Sequence, residues 1–420
     1  MQVCFHYQFH PVGQGLFASG CLYKSKTPDP EFLWVYDCGS VTFTGAQWWD
    51  GQIQRLKQFA HYRPDLELLA LSHFDDDHIS GVTALLHRFN VNMLLVPYVP
   101  LWRRLMVAFG ANHQGDTDVM NYFVDPVSFL RTRGQIDHVV LVPPSRGEGP
   151  PIASVPIETE KGPWAANADI KRLDPSDPLV IEFGTKDDLG LELLPSGGRI
   201  TVRGLWEFCP YNKPLFRVPP QLALFRTSVD QLRDDLIHAG PNERQPALTA
   251  LKRVFDQTFG ASGAARNRIS LYLYGGPIYP SWRASKLLTQ HGDYLPPYPR
   301  RQPCYHRVHA HAPGVSGKCS VLYSGDGFLN SEVSFRHIHG YLGLERMTRL
   351  GAYQVNHHGA RGNWHPNLAR KLDPRVSVFS SDPARGPTNH PHPEVSQDYA
   401  QHQPVQVNRR GHGLSGWMIL

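Results

Sequence analysis

The apolar run Leu66-Glu67-Leu68-Leu69-Ala70-Leu71 leads directly into Ser72-His73-Phe74-Asp75-Asp76-Asp77-His78-Ile79-Ser80-Gly81, and this junction constrains the fold more than any other stretch. A run of that length and apolarity reads as a buried strand, and residues 79–89 carry apolar side chains at helical spacing. The polar cluster therefore occupies a strand-to-helix turn. His73 and Asp75, two apart on a still extended backbone, point to one side, while Asp77 and His78 fall on the first helical turn. Asp near a helix start is commonly an N-cap, which would account for Asp75 or Asp76 alone. It does not account for three consecutive carboxylates between two imidazoles, which repel one another unless a cation or solvent screens them. The spacing predicts a dinuclear metal site, with His73 and Asp75 facing one cation and Asp77 and His78 the other.

Strands are expected at residues 3–12, 16–23, 32–36, 66–71 and 92–98, with a helix at 47–61, an order that indicates a mixed α/β (α+β) layered fold. Between 102 and 265 the periodicity weakens, with strands expected at 191–195 and 200–205, helices at 221–238 and 245–259, and a Pro-rich loop at 142–156. From 320 the pattern sharpens. Short apolar strands run into Ser324-Gly325-Asp326-Gly327 and into Asn356-His357-His358-Gly359, and a third leads toward Asn389-His390-Pro391-His392-Pro393. Apolar strands that repeatedly end in His or Asp beside Gly predict several strand ends converging on one cleft. Asp326 is the candidate bridging ligand there.

With 420 residues, 41% of them hydrophobic, the chain can form one large domain with insertions or two domains. No apolar run approaches the ~18 residues of a membrane span, and the N-terminal residues lack a signal-peptide pattern. Cys4, Cys21, Cys38, Cys209, Cys304 and Cys319 are scattered without a CxxC pair, as expected of reduced thiols. The expectation is a soluble, cytoplasmic protein without a membrane partner. A net charge of +5 admits nucleic acid as a partner without requiring it. Residues 275–317 are dense in Pro, Tyr, Arg and His; Cys304, His306, His309 and His311 within them offer zinc-type ligands at a spacing that matches no standard zinc module.

His73-x-Asp75-x-Asp77-His78 with Gly81 close behind resembles the signature of the metallo-β-lactamase fold hydrolases, with Asp75 where most members have His. That Asp-containing version is similar to the hydrolase domain of the competence-type DNA-uptake proteins and their stand-alone relatives. Val12-Gly13-Gln14-Gly15, Asp37-Cys38-Gly39, Asn267-x-x-Ser270-Leu271, Ser324-Gly325-Asp326, Asn356-His357-His358-Gly359 and His390-Pro391-His392 follow in the same order. The resemblance implies a four-layer αββα sandwich spanning residues 1–420 as a single domain, with insertions at about 205–265 and 275–317 shaping access to the site. Two departures stand out. Leu16 follows Gly-Gln-Gly where the competence-type domains usually carry Asp, and no His between Gly81 and Asp326 clearly supplies the third metal-ligand motif, His138, His238 and His291 being the candidates.

The implied function is metal-assisted hydrolysis, most readily of a phosphodiester, as in a nuclease or phosphodiesterase. His73, Asp75, Asp77, His78, Asp326 and His357 would hold two divalent ions, zinc or manganese; the oxygen-rich Asp75 shifts preference toward the harder ion. A water between two cations loses a proton near neutral pH and becomes the nucleophile. Asp77 counts as both ligand and catalytic residue, and His358, His390 or His392 would donate a proton to the leaving oxygen. Pro-flanked His390 and His392 read equally well as loop residues bonded to backbone. The same centre would serve a lactone, thioester or β-lactam, and a metal-stabilised subunit docking a protein partner through the insertions is a third reading.

Overall fold

A computed structural model describes residues 3–24, 29–43, 45–111, 113, 117–152, 164–185, 190–213, 222–240, 243–259, 270–279, 287–292, 317–384, 390–409 and 413–419. In chain order the strands are β1 (Val3–Phe9), β2 (Phe17–Lys24), β3 (Phe32–Cys38), β4 (Asp65–Ala70), β5 (Asn90–Pro97), β6 (Ile136–Val142), β7 (Asn167–Ala168), β8 (Lys171–Arg172) and β9 (Leu191–Leu193). They continue as β10 (Ile200–Val202), β11 (Trp206–Asn212), β12 (Leu271–Pro277), β13 (Leu287–Gly292), β14 (Ser320–Tyr323), β15 (Leu350–Gln354), β16 (Val376–Ser380), β17 (Pro404–Val407) and β18 (Gly413–Ile419). They form two large sheets in a mixed α/β protein, ordered β13-β18-β1-β2-β3-β4-β5-β6-β9-β8 and β17-β16-β15-β14-β12-β11-β10-β7.

Alternation along each strand sorts the side chains into separate apolar clusters. On β3, Trp34 and Tyr36 face one way and Leu33 and Val35 the other, as the two-residue strand repeat requires. Trp34 meets Trp206 and Phe208 of the second sheet at ring-centroid distances of 6.2 and 5.2 Å, and Phe5 meets Trp206 at 4.5 Å. Full burial of each indole contributes about 5 kcal/mol at the usual area coefficient. Leu33 and Val35 join Trp49, Ile53 and Leu56 of the helix Ala46–Phe59. A third cluster combines Tyr211, Tyr272 and Tyr353 with Phe335 and Ile338 of the helix Glu332–Leu342.

Polarity decides where the site forms. β3, β4, β5, β6 and β9 are parallel, as are β14, β15, β16 and β17, so the carboxyl ends within each set share one edge. Cross-sheet hydrogen bonds join those edges: the Leu271 N–H donates to the Ser72 carbonyl (2.8 Å), and the Tyr36 hydroxyl to the Leu271 carbonyl (2.5 Å).

The helix expected over 79–89 is instead two short ones, Asp76–Ile79 and Val82–Leu86. The break has a local cause, since the Gly81 N–H is spent on the Cys38 carbonyl at 2.8 Å and a Cβ at 81 would meet the Trp49 ring at 2.5 Å. Within 205–265, Trp206–Asn212 is a strand of the second sheet, while Leu222–Gln231, Arg233–Ile237 and Gln245–Phe259 are helices, the first and last packing on the helix Leu101–Gly110. Within 275–317, β13 adds an edge strand to the ten-stranded sheet, and Cys304, His306, His309 and His311 lie outside the described residues. Among the described residues no helix is long and apolar enough to cross a membrane.

Candidate metal centre

The turn after β4 is anchored before any ligand is considered. The Leu16 N–H donates to the Asp77 carbonyl and the Gly39 N–H to the Leu16 carbonyl, both at 2.9 Å, so the Gly-Gln-Gly loop and the end of β3 grip the turn from below. Gly39 lies so close that a Cβ there would fall 2.3 Å from the His78 backbone. Leu16 itself is buried in the core, so the position retains its backbone anchor although it carries no carboxylate. Asp75 stands at the N-cap of the helix Asp76–Ile79 but makes no side-chain capping bond, which leaves its carboxylate free of that duty.

Four imidazoles converge on the carboxylate of Asp326, and in each the Nδ1 is already engaged. His73 Nδ1 lies 2.8 Å from Ser72 Oγ, His78 Nδ1 2.8 Å from Asp37 Oδ2, His357 Nδ1 3.0 Å from Asn363 Oδ1 and His358 Nδ1 2.5 Å from the Ser380 carbonyl. Every partner accepts, so each ring turns its Nε2 inward. His78 and His358 address Asp326 Oδ1 at 3.1 and 3.6 Å, whereas His357 and His73 address Oδ2 at 3.3 and 3.6 Å. Asp77 Oδ2 lies 3.1 Å from His358 Nε2, and Asp75 Oδ2 lies 3.8 Å from His73 Nε2. An Nδ1 held by a carboxylate, amide or carbonyl while Nε2 faces other donors is the usual outer-shell arrangement of a metal-binding histidine.

Two donor groups emerge, Asp77-His78-Asp326-His358 and His73-Asp75-Asp77, each with ligand atoms within 4.8 Å of one another. Charge explains why they call for a cation. Burial, reinforced by His78, holds the His73 imidazole down at about 3, so its Nε2 presents a lone pair to carboxylate oxygens. Burial, then Asp77 and Asp326, pushes the Asp75 carboxyl up to about 8. His73 Nε2 and Asp75 Oδ1 are buried atoms without a hydrogen-bond partner, a costly state for polar atoms that a shared cation would relieve. Around Asp77 and Asp326 burial works against the charged forms, yet the facing imidazoles outweigh it and hold both carboxyls below their usual range. For His78 and His358 burial is likewise outweighed by these carboxylates, and both imidazoles are raised. Protons on those rings thus stand where a cation would. The donor set and its orphaned atoms fit a metal, and the cluster can hold a metal ion.

Asp37, Ser72, Ser380 and Asn363 orient the candidate ligands; Asp37 and Ser72 stand at strand ends, but residue type and spacing alone do not reveal these roles. His358, expected as a proton donor, belongs to the first donor group, whereas His357, expected as a ligand, lies in neither group and faces Asp326 Oδ2. His390 has its ring 5.6 and 6.4 Å from those of His357 and His358, with a buried Nδ1 that has no partner, and burial followed by its histidine neighbours lowers it to about 4. His392 accepts the Arg361 N–H on Nδ1 at 3.2 Å, a bond to backbone. His138 is exposed on β6 beside Glu192, and His238 caps the helix Arg233–Ile237; the side chain of His291 lies outside the described residues. His357 and His73 both face Asp326 Oδ2.

His357 and His358 carry φ of 46° and 58°, two consecutive left-handed residues that are not glycine. Such backbone costs about 1–3 kcal/mol per residue and persists where the surroundings over-determine it, commonly at functional sites. Here it lets adjacent residues send their rings to opposite oxygens of Asp326. No protein-family model matches the chain, and no curated protein matches it.

Proposed function

We propose that this chain is a metallo-β-lactamase-like hydrolase, its two sheets and flanking helices layered αββα, with two divalent ions bound at the shared edge and phosphodiesters as the substrate class. The observation that carries this reading is the division of Asp326: one oxygen faces His78 and His358, the other His73 and His357. A carboxylate so divided suits a bridge between two ions. His73, Asp75 and His357 would hold one, Asp77, His78 and His358 the other.

Bound there, the ions would activate a water and offset charge developing on a phosphoryl group. The protein's own part is orientation and exclusion. Asp37, Ser72, Asn363 and Ser380 fix the four imidazoles, and the complete burial of Asp326, His78 and His358 keeps water off the inner side. His390, beside the His357 and His358 rings with an uncommitted buried Nδ1, would hand a proton to a leaving oxygen where the negative charge of a bound phosphodiester raises its imidazole from about 4. Arg361, whose guanidinium pairs with Glu394, and Arg409, paired with Asp382 two residues beyond Ser380, would be the cations nearest in the chain to turn toward a phosphate. These groups, the three carboxylates of the donor set and the resemblance to competence-type domains favour phosphodiesters over carbonyl substrates.

The test is hydrolysis of bis-p-nitrophenyl phosphate, single- and double-stranded DNA, RNA and a lactone panel by metal-loaded wild type, Asp77→Ala and Asp326→Ala. Variant-sensitive cleavage of phosphate esters supports the reading. Variant-sensitive lactone cleavage without it moves the assignment to carbonyl hydrolysis, and loss of neither in the variants leaves the interaction-subunit reading.

A further inference from the structure

We propose that Asn363 is the positioning residue that fixes the tautomer and aim of His357, an inference that rests on the metal-hydrolase reading above. Asn363 is 3% exposed and sits in a short turn, Arg361–Asn363, beyond the paired histidines. Its Nδ2 donates to the Asp326 carbonyl at 2.8 Å and to the Gly327 carbonyl at 3.2 Å. That fixes which way the amide points, because the reversed amide would press its oxygen against two carbonyl oxygens. Oδ1 must then face His357 Nδ1, at 3.0 Å, and an amide oxygen only accepts. The proton of neutral His357 is therefore on Nδ1, and the Nε2 lone pair points at Asp326 Oδ2, 3.3 Å away.

Exposure makes His357 the ligand that depends most on such a clamp. The side chains of His78 and His358 are fully buried and that of His73 is 3% exposed, whereas His357 is 25% exposed. Packing backs the Nδ1 bonds of the first three rings; the fourth, more exposed, relies chiefly on its bond to Asn363. The backbone of Asn363 ties in the same loops, its carbonyl accepting the Leu329 N–H at 3.0 Å.

Chelator-stripped full-length wild type, Asn363→Ala and Asn363→Asp are titrated with Mn²⁺ alone and with Zn²⁺ alone by calorimetry, and the tautomer of His357 is read from long-range ¹H–¹⁵N spectra of the metal-free chains. Near-ultraviolet circular dichroism reports whether each variant folds. The expected result is an Nδ1–H tautomer in wild type, and in Asn363→Ala a loss of about 10- to 100-fold in affinity for one ion only. Asn363→Asp keeps the Nδ1 acceptor and should recover most of that affinity even though it loses the two carbonyl contacts and melts lower. A merely structural role would make Asp the worse variant and weaken both ions together; that result, an Nε2–H tautomer in wild type, or unchanged affinity in Asn363→Ala overturns the proposal. A wild type that binds no ion sinks the metal reading itself, and with it this inference, whatever the tautomer.

Discussion

Ser72→Ala removes a hydroxyl that joins two histidines to one carboxylate. Ser72 Oγ donates to Asp37 Oδ2 at 2.6 Å and accepts from His73 Nδ1 at 2.8 Å. Asp37 keeps the Ser72 N–H at 2.6 Å and His78 Nδ1 at 2.8 Å, so its carboxylate is not orphaned and the loss is one hydrogen bond to a charged group, about 1.5–3 kcal/mol. The buried His73 Nδ1–H loses its partner, a further cost of about 1–3 kcal/mol. Neutral His73 can escape that second cost by moving its proton to Nε2, which faces Asp326 and Asp75 oxygens at 3.6 and 3.8 Å. The metal-free chain should then lose about 1.5–3 kcal/mol in urea denaturation. The same proton blocks the lone pair needed for a metal, so calorimetric titration with Mn²⁺ should show one ion weakened about 10- to 100-fold and the other little changed. Equal stability with wild-type affinity for both ions, or equal weakening of both, would refute the claim that Ser72 orients His73.

Gly325 has φ of 50°, and a Cβ there would lie 2.5 Å from Ser270 Oγ and 2.6 Å from Ser72 Cβ. Gly325→Ala should destabilise the fold by about 2–4 kcal/mol and lower metal affinity, read by thermal melting and titration. The metal-free protein should also lose stability as pH rises from about 6.5 to about 8. Asp75 stays protonated in the folded chain up to about 8 but ionises near pH 4 when unfolded, the raised His78 and His358 act in the same direction, and the lowered His73 is neutral in both states above about 6.5. Asp75 alone contributes about 2 kcal/mol across that window; the decline should vanish once metal replaces the protons, and a metal-free chain equally stable at both ends would contradict it. His358→Ala should lose metal as well as activity. His390→Ala should retain both ions while turnover falls about 10²- to 10⁴-fold with a changed pH profile, so full activity in His390→Ala would remove it as the proton donor.

The candidate ligands on the first turn were legible because strand and helix periodicity switch at Ser72, and those of the second half because β14 and β15 end in Asp and His beside Gly; the structure brings these side chains into one cluster. What periodicity could not show was direction. Asn356-His357-His358-Gly359 gives two imidazoles, but only the left-handed backbone at both sends them to different oxygens of Asp326, and helix or strand spacing contains no such state. Spacing alone therefore does not divide the ligand and acid roles between His357 and His358. Asn363 and Ser380 were invisible for another reason, since an amide and a backbone carbonyl acquire meaning only when tertiary packing sets them against a ring nitrogen. Trp206–Asn212 fell inside a presumed insertion because a strand buried on both faces lacks alternation, and Pro210 within it argued against a central strand.

Metal content bears most directly on the central claim that this cluster is a dinuclear centre. The chain should be stripped with chelator, reloaded with Mn²⁺ or Zn²⁺, freed of excess ion and measured by plasma mass spectrometry beside Asp326→Ala shown to be folded by circular dichroism. A dinuclear centre retains two ions per wild-type chain and at most one, weakly held, in Asp326→Ala. Wild type that retains no more metal than Asp326→Ala would contradict it.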